Sequence, residues 1–449
     1  MSQVIKKLLT YIAVILGSWV LGFIALTAVF LLPEDNMEKN AVRSVDIFER
    51  EGTYPTMFDS VGVRMHPDNM FEIKTLLFNN RITARDNFTD ALMLENAIYD
   101  GNEEVIDKAL NVYRWTDQDT NPVLSFKNCY SGQAIVKEQR DSYARYWHGY
   151  LVILKPLLLF LTYGGIRILN YIVMTAMLAY LCLLMLKKFG REMIGLYAVS
   201  LIFFWPFTVP ACMQFATVSY ITLTALIVLF KKYDSISAKN SFGAMFLLLG
   251  IVTAYFDYLT FPILTFGLPL IFVIMLSDDS HHFSKLKGFI QVALWGMVWS
   301  MGYVGMWAGK WILASLLTDS NVIKEALGKI AERTNALAGV DMIKVSALRS
   351  IASNLCNYVN IVYILIIAII LLWVLSVSIK NRDNFRSTLK NNWILLVIGF
   401  IPVVWYATFR NHSYEHSSFT FRSLQITALA WLVFVDRCKD TIEKTRDGC

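Results

Sequence analysis

Charge is scarce in this 449-residue chain, where Asp, Glu, Lys and Arg make up 17%. A soluble domain carries about 25%. With 56% hydrophobic residues and a mean hydropathy of +0.47, that shortfall excludes a soluble enzyme held by one anchor. Several apolar runs reach the ~20 residues needed to cross a bilayer. Six cysteines are scattered without a CxxC spacing, which argues against a structural metal site. Cys182 falls in an apolar run, and Cys438 and Cys449 fall in the basic tail; Cys129 and Cys356 are expected outside, paired or unpaired. The first apolar run, Leu8 to Leu32, lacks a small-residue cleavage site and is too long for a signal peptide, so it stays as a transmembrane helix. No internal repeat and no low-complexity tract is present.

The charge that is there has a pattern. Lys6 and Lys7 precede the first run, and Lys187, Lys188 and Arg191 follow a later one. Lys231, Lys232 and Lys239 come next, then Lys285 and Lys287. Lys380, Arg382, Arg386 and Lys390 follow, and Arg437, Lys439, Lys444 and Arg446 close the chain. Short loops rich in Lys and Arg remain cytoplasmic. The gaps between clusters therefore face outside, and both termini face the cytoplasm. The net charge of +6 is this cytoplasmic excess, dispersed at span ends, and not a nucleic-acid footprint.

About ten spans are expected, near 8–32, 166–186, 193–209, 212–230, 241–258, 260–276, 288–307, 359–379, 392–409 and 422–436. The first outer segment, 33–148, is long and reads as helical. Ala41, Val45 and Phe48 recur at helical spacing before Gly52. Asn102 can cap a helix opening with Glu103 and Glu104. Residues 149–162 are too short to cross and contain Lys155 and Pro156, which suits an interfacial or re-entrant helix. An amphipathic segment spans 319–350, with Ile323, Ala326, Leu327 and Ile330 on one face.

Candidate chemistry gathers on the outer side, where polar residues at membrane depth are costly. Asp86 and Asp90 can serve as general base for a sugar hydroxyl, or simply open the helix that carries Leu92 and Leu94. Glu34 and Asp35 follow the first span; each is a base candidate or a solvated helix end. Arg145 and His148 end the long segment among Tyr146 and Trp147, which suit the interfacial belt. Asp257 ends a span, and Lys310 lies between Trp307 and Trp311; an ion pair between the two is one structural reading. Arg410 to Arg422 is the densest segment. His412 and His416 stand four apart without an evident third metal ligand, and Arg422 suits a phosphate. Asn87-Phe88-Thr89 and Asn411-His412-Ser413 match the N-glycosylation sequon. His281 and His282 read as solvated cytoplasmic loop.

The segments NFTDA (87–91), YWHGY (146–150), YFDYLTFP (255–262), WAGKW (307–311) and NHSYEHSSFTFR (411–422) look like those of uncharacterised bacterial membrane proteins placed near the GT-C superfamily of polytopic glycosyltransferases. The whole-chain layout resembles that superfamily too. The resemblance implies an all-α polytopic fold and a polyprenyl-phosphate-linked sugar donor. It also implies a catalytic carboxylate in the first outer segment: Asp90, then Asp86, Asp35 or Glu34. The chain departs from the superfamily in lacking a clean acidic pair at the usual spacing after the first span.

The expectation is an extracytoplasmic glycosyltransferase of a bacterial plasma membrane, modifying a cell-surface glycan, cell-wall polymer or lipid. A first-segment carboxylate takes the acceptor proton. Arg422, with His412, His416, Lys310, Arg145, His148 or Asp257 nearby, holds the lipid phosphate. No cofactor is implied; a divalent metal is compatible with the sequence but not indicated by it. The partners are the polyprenyl-linked donor, a glycan or lipid acceptor and membrane lipids. The rivals are a polysaccharide polymerase or ligase, a transporter or flippase, and a membrane scaffold.

Overall fold

The computed structural model describes residues 3–56, 80–117, 121–130, 137, 139–277, 280–334 and 345–439. Residues 57–79 of the long segment, 335–344 of the amphipathic segment, and Lys444, Arg446 and Cys449 lie outside the described residues.

Apolar composition and length make seven described helices able to cross a bilayer. They are Val4–Val29, Tyr163–Phe189, Met213–Ala238, Leu286–Leu317, Ile361–Lys380, Asn384–Thr408 and Ser417–Asp436. Three other expected spans are shorter. Phe242–Phe256, Leu264–Leu276 and Arg191–Phe204 hold 15, 13 and 14 residues. At 1.5 Å per residue each covers about 20 Å, less than the ~30 Å hydrocarbon core. The chain is a predominantly helical, polytopic membrane protein.

Small residues set one close helix crossing. A Cβ on Gly250 would lie 2.1 Å from the Trp299 carbonyl oxygen, and one on Gly302 would lie 2.3 Å from that of Leu247. The backbones of Phe242–Phe256 and Leu286–Leu317 therefore touch directly, as small-residue crossings in membranes allow. At the periphery, Ile361–Lys380 leaves Val362, Leu365, Ile369 and Leu372 exposed, a face that suits lipid.

The long segment packs on one side of the bundle, the loop side. Its described helices are Glu34–Val42, Val45–Glu51, Asn87–Ala97, Val105–Asn111 and Pro122–Tyr130. Gly52 ends the second at φ 72°, in the left-handed region glycine favours. Phe48 anchors the segment by packing on Tyr163, ring centroids 5.2 Å apart. Two features differ from expectation. The helix Val105–Asn111 opens with Glu104 as N-cap and no side-chain cap, so Asn102 does not start it. The segment also contains an antiparallel ribbon, β1 (Arg114–Thr116) and β2 (Gln139–Asp141), with Trp115 opposite Arg140. Three-residue strands are too short to leave an alternating pattern.

Residues 149–162 form one short helix, Leu151–Leu158, with Pro156 inside it. Lys155 is buried there and donates to the Ala97 carbonyl at 2.7 Å. The amphipathic segment begins with Val322–Thr334 and ends with Ala347–Leu355. Its expected single apolar face is divided: Val322 and Ala326 pack inward, while Ile323 and Leu327 are exposed. The inward pair reads i, i+4 one residue out of step with the outward pair, which leaves a second stripe free for the membrane surface.

Candidate functional site

Asp86 and Asp90 meet the bundle at the start of Met213–Ala238. Asp86 is the N-cap of Asn87–Ala97, accepting the Thr89 N–H at 3.0 Å. It also accepts from the Gln214 side-chain amide at 2.8 Å. Asp90, one turn on, is fully buried. Its Oδ2 accepts the Tyr163 hydroxyl at 2.6 Å and the Met213 N–H at 3.0 Å. Its Oδ1 accepts the Gln214 N–H at 3.3 Å, with the Cys212 sulfur at 3.6 Å. Asp90 thus caps a helix far away in sequence, and the positive end of that helix favours its negative form. Burial works the other way and dominates, pushing the Asp90 carboxyl up to about 6 against the Tyr163 bond and the Arg167 charge.

Behind Asp90 stands a group that no local sequence pattern joins. The buried Arg167 donates through Nη1 to both oxygens of Glu51, at 2.8 and 3.0 Å. Through Nη2 it donates to Asn87 Oδ1 at 2.9 Å and to the Tyr163 hydroxyl at 2.6 Å. Tyr163 accepts from Arg167, so its own hydrogen is free to go to Asp90. Arg85 adds a second ion pair to Glu51 at 2.9 Å. A signal was present: Arg167 is a lone cation inside an apolar run, where charge is costly.

Arg422 is fully buried and stacks on Phe215 and Phe421, 4.3 and 4.7 Å from their centroids. Nη2 donates to Thr208 Oγ1 at 3.1 Å and Nη1 to the Ser418 carbonyl at 3.3 Å. No carboxylate lies within ion-pair distance among the described residues. The His412 and His416 rings lie 4.6 Å apart. His412 Nε2 faces the Leu259 carbonyl at 2.8 Å and so carries the hydrogen there. Leu259 sits at φ 67°, which that bond helps to hold. Among the described residues no group of three His, Cys, Asp or Glu could hold a metal ion.

His148 is buried in a tyrosine cluster. Its Nε2 faces the Tyr143 carbonyl at 2.7 Å and must donate; Nδ1 then accepts from Tyr258 at 2.8 Å. Burial holds its pKa well below the ordinary imidazole value, so it is neutral and fixed in one tautomer. Arg145 pairs with Glu325 and lies 4.6 Å from the Tyr143 ring centroid. Lys310 and Asp257 do not pair. Lys310 donates to the Ala109 carbonyl at 3.2 Å and faces the Trp147 ring. Asp257 accepts the Thr260 N–H at 3.0 Å, closing the turn after its helix. Glu34 lies 3.5 Å from Lys108, and Asp35 is exposed in the first turn of Glu34–Val42. These two stand apart from Asp90. Cys129 is buried and Cys356 half-buried. Asn87 and Asn411 are buried, which closes both sequons to a glycan.

Beside Asp90 runs an apolar cavity of about 550 Å³. Met93, Leu154, Ala216, Ala225, Leu249 and Phe256 form its walls, and Tyr150 and Asn170 supply polar edges. Met213 lines it and gives its N–H to Asp90; Met93 follows Asp90 by three residues. The cavity lies between Leu151–Leu158, Tyr163–Phe189, Met213–Ala238 and Phe242–Phe256.

The chain matches no family model, no curated protein and no solved structure.

Proposed function

We propose that the protein is an extracytoplasmic glycosyltransferase that uses a polyprenyl-phosphate-linked sugar and belongs to the GT-C type. One observation carries the reading. An apolar groove between membrane helices, with room for a prenyl chain, is lined in part by Met213, whose N–H hydrogen-bonds Asp90. A lipid-linked donor needs an apolar channel for the tail and acid–base groups at its polar end. Asp90, raised towards neutral pH, can exchange a proton at physiological pH, and Tyr163 with Arg167 can relay and balance the charge. In this reading the loop side is extracytoplasmic, and Arg422 neutralises departing phosphate within reach of Thr208.

A second reading, lipid binding or translocation without transfer, draws on the saturation of Asp90. Both its oxygens already accept backbone N–H groups. The test is transfer from a polyprenyl-phosphate sugar by purified wild type, Asp90→Asn and Ala216→Trp. Ala216→Trp fills the groove and should abolish transfer. Retained tail binding with no transfer by wild type to any offered glycan or lipid acceptor would leave the second reading in place.

A further inference from the structure

We propose a phosphate-binding pocket on the loop side, built on Arg333 and Arg145, with the Glu325 carboxylate paired to Arg145 in the resting protein. It lies across an aromatic wall from the apolar groove. Tyr150 lines the groove and Tyr146 lines the pocket, with Tyr258 between them at 5.2 and 5.5 Å.

Two guanidinium groups converge on one ring there. Arg333 lies 5.7 Å and Arg145 5.9 Å from the Tyr146 centroid. Lys329 lines the same pocket. Like charges held this close repel unless an anion sits among them. Two of these cations are already paired: Lys329 with Glu332 at 2.6 Å, and Arg145 with Glu325. Arg333 has no carboxylate partner among the described residues. A neutral donor points the same way. Trp307 lines the pocket and is 8% exposed, yet its buried indole N–H has no hydrogen-bond partner among the described residues. A buried donor left unpaired is costly, and a phosphate oxygen would satisfy it.

The void is about 20 Å³, room for one water and not for a phosphate. The anion position is the one the Glu325 carboxylate holds on Arg145, beside the adjoining surface cleft that Glu325 and Lys329 line. The Glu325 side chain is 45% exposed and free to swing outward, whereas Arg145, at 20%, is held against Tyr143. An incoming phosphate replaces the carboxylate on Arg145 and adds contacts to Arg333 and Trp307. Glu325 is an internal competitor, and Arg333 is the fixed part of the site. The inference stands apart from the transferase reading, since anion binding can hold where transfer fails.

The phosphate can belong to a lipid headgroup or to a soluble anion, so two labelled probes are needed: orthophosphate and a short prenyl monophosphate. Equilibrium binding of each is measured on full-length protein in maltoside detergent. Wild type should bind at least one of them. Arg333→Gln should weaken that binding by about tenfold or more, the loss of a charge-assisted contact. Glu325→Gln should strengthen it several-fold. Binding of the prenyl probe alone assigns the site to a headgroup, binding of orthophosphate alone to a free anion, and either supports the site. Thermal melting checks that Arg333→Gln folds; if it does not, Glu325→Gln decides. No binding of either probe by wild type, or equal binding by every folded variant, overturns the proposal.

Discussion

Asp90 closes the amino end of a helix that begins 123 residues later, accepting the Met213 N–H at 3.0 Å. The acid expected to act on substrate also holds the long loop-side segment to the membrane bundle. A substitution there changes two things, and the predictions separate them.

The pH dependence of stability isolates the structural part. The folded carboxyl is raised from its ordinary 3.8 to about 6, so the folded state holds the proton more tightly than the unfolded one. Its stabilising effect is complete below about pH 4 and is lost as pH rises to about 6, on the order of 3 kcal/mol in total. Melting in detergent between pH 4 and 6 should flatten in Asp90→Asn relative to wild type. Parallel curves would show that Asp90 titrates alike in both states.

Tyr163→Phe removes one hydroxyl from between Arg167 and Asp90. Both partners stay buried, so the cost should be about 1–3 kcal/mol. A change in the denaturation midpoint equivalent to less than about 0.5 kcal/mol would mean the relay is not formed.

Arg422 separates stability from binding. It is a buried cation without a carboxylate partner among the described residues, so Arg422→Met should leave stability unchanged or raised. If it serves a lipid phosphate, the same variant should lose donor use, and Arg422→Lys should lose part of it. A destabilised Arg422→Met with intact binding would make the residue purely structural.

The crossing at Gly250 and Gly302 should tolerate nothing larger. Gly302→Ala places a methyl 2.3 Å from the Leu247 carbonyl oxygen and should cost about 1–3 kcal/mol. Gly195→Ala, where nothing lies within 4 Å, is the control and should melt like wild type.

The sequence displays its local features more plainly than its distant ones. Asp86 as a helix cap and Gly52 as a stop follow from residues within one turn, and the apolar runs follow from composition. Arg167 was legible as an isolated cation, but its partner Glu51 lies 116 residues away and no local pattern joins them. The same distance problem hides the capping role of Asp90 and the separation of Lys310 from Asp257. Arg333 lies on an amphipathic helix where a solvated cation is ordinary; only the approach of Tyr146 and Trp307 distinguishes it.

The reach from Asp90 to Met213 also imposes an order on biosynthesis. At about 5–20 residues per second, roughly 6 to 25 seconds separate the carboxylate from its helix as the chain emerges. During that interval Arg167 and Tyr163 are made first, so the loop-side segment can dock on Tyr163–Phe189 before Met213–Ala238 arrives. A nascent chain stalled before Met213 would then carry an Asp90 already facing Tyr163, with its remaining lone pairs turned to water.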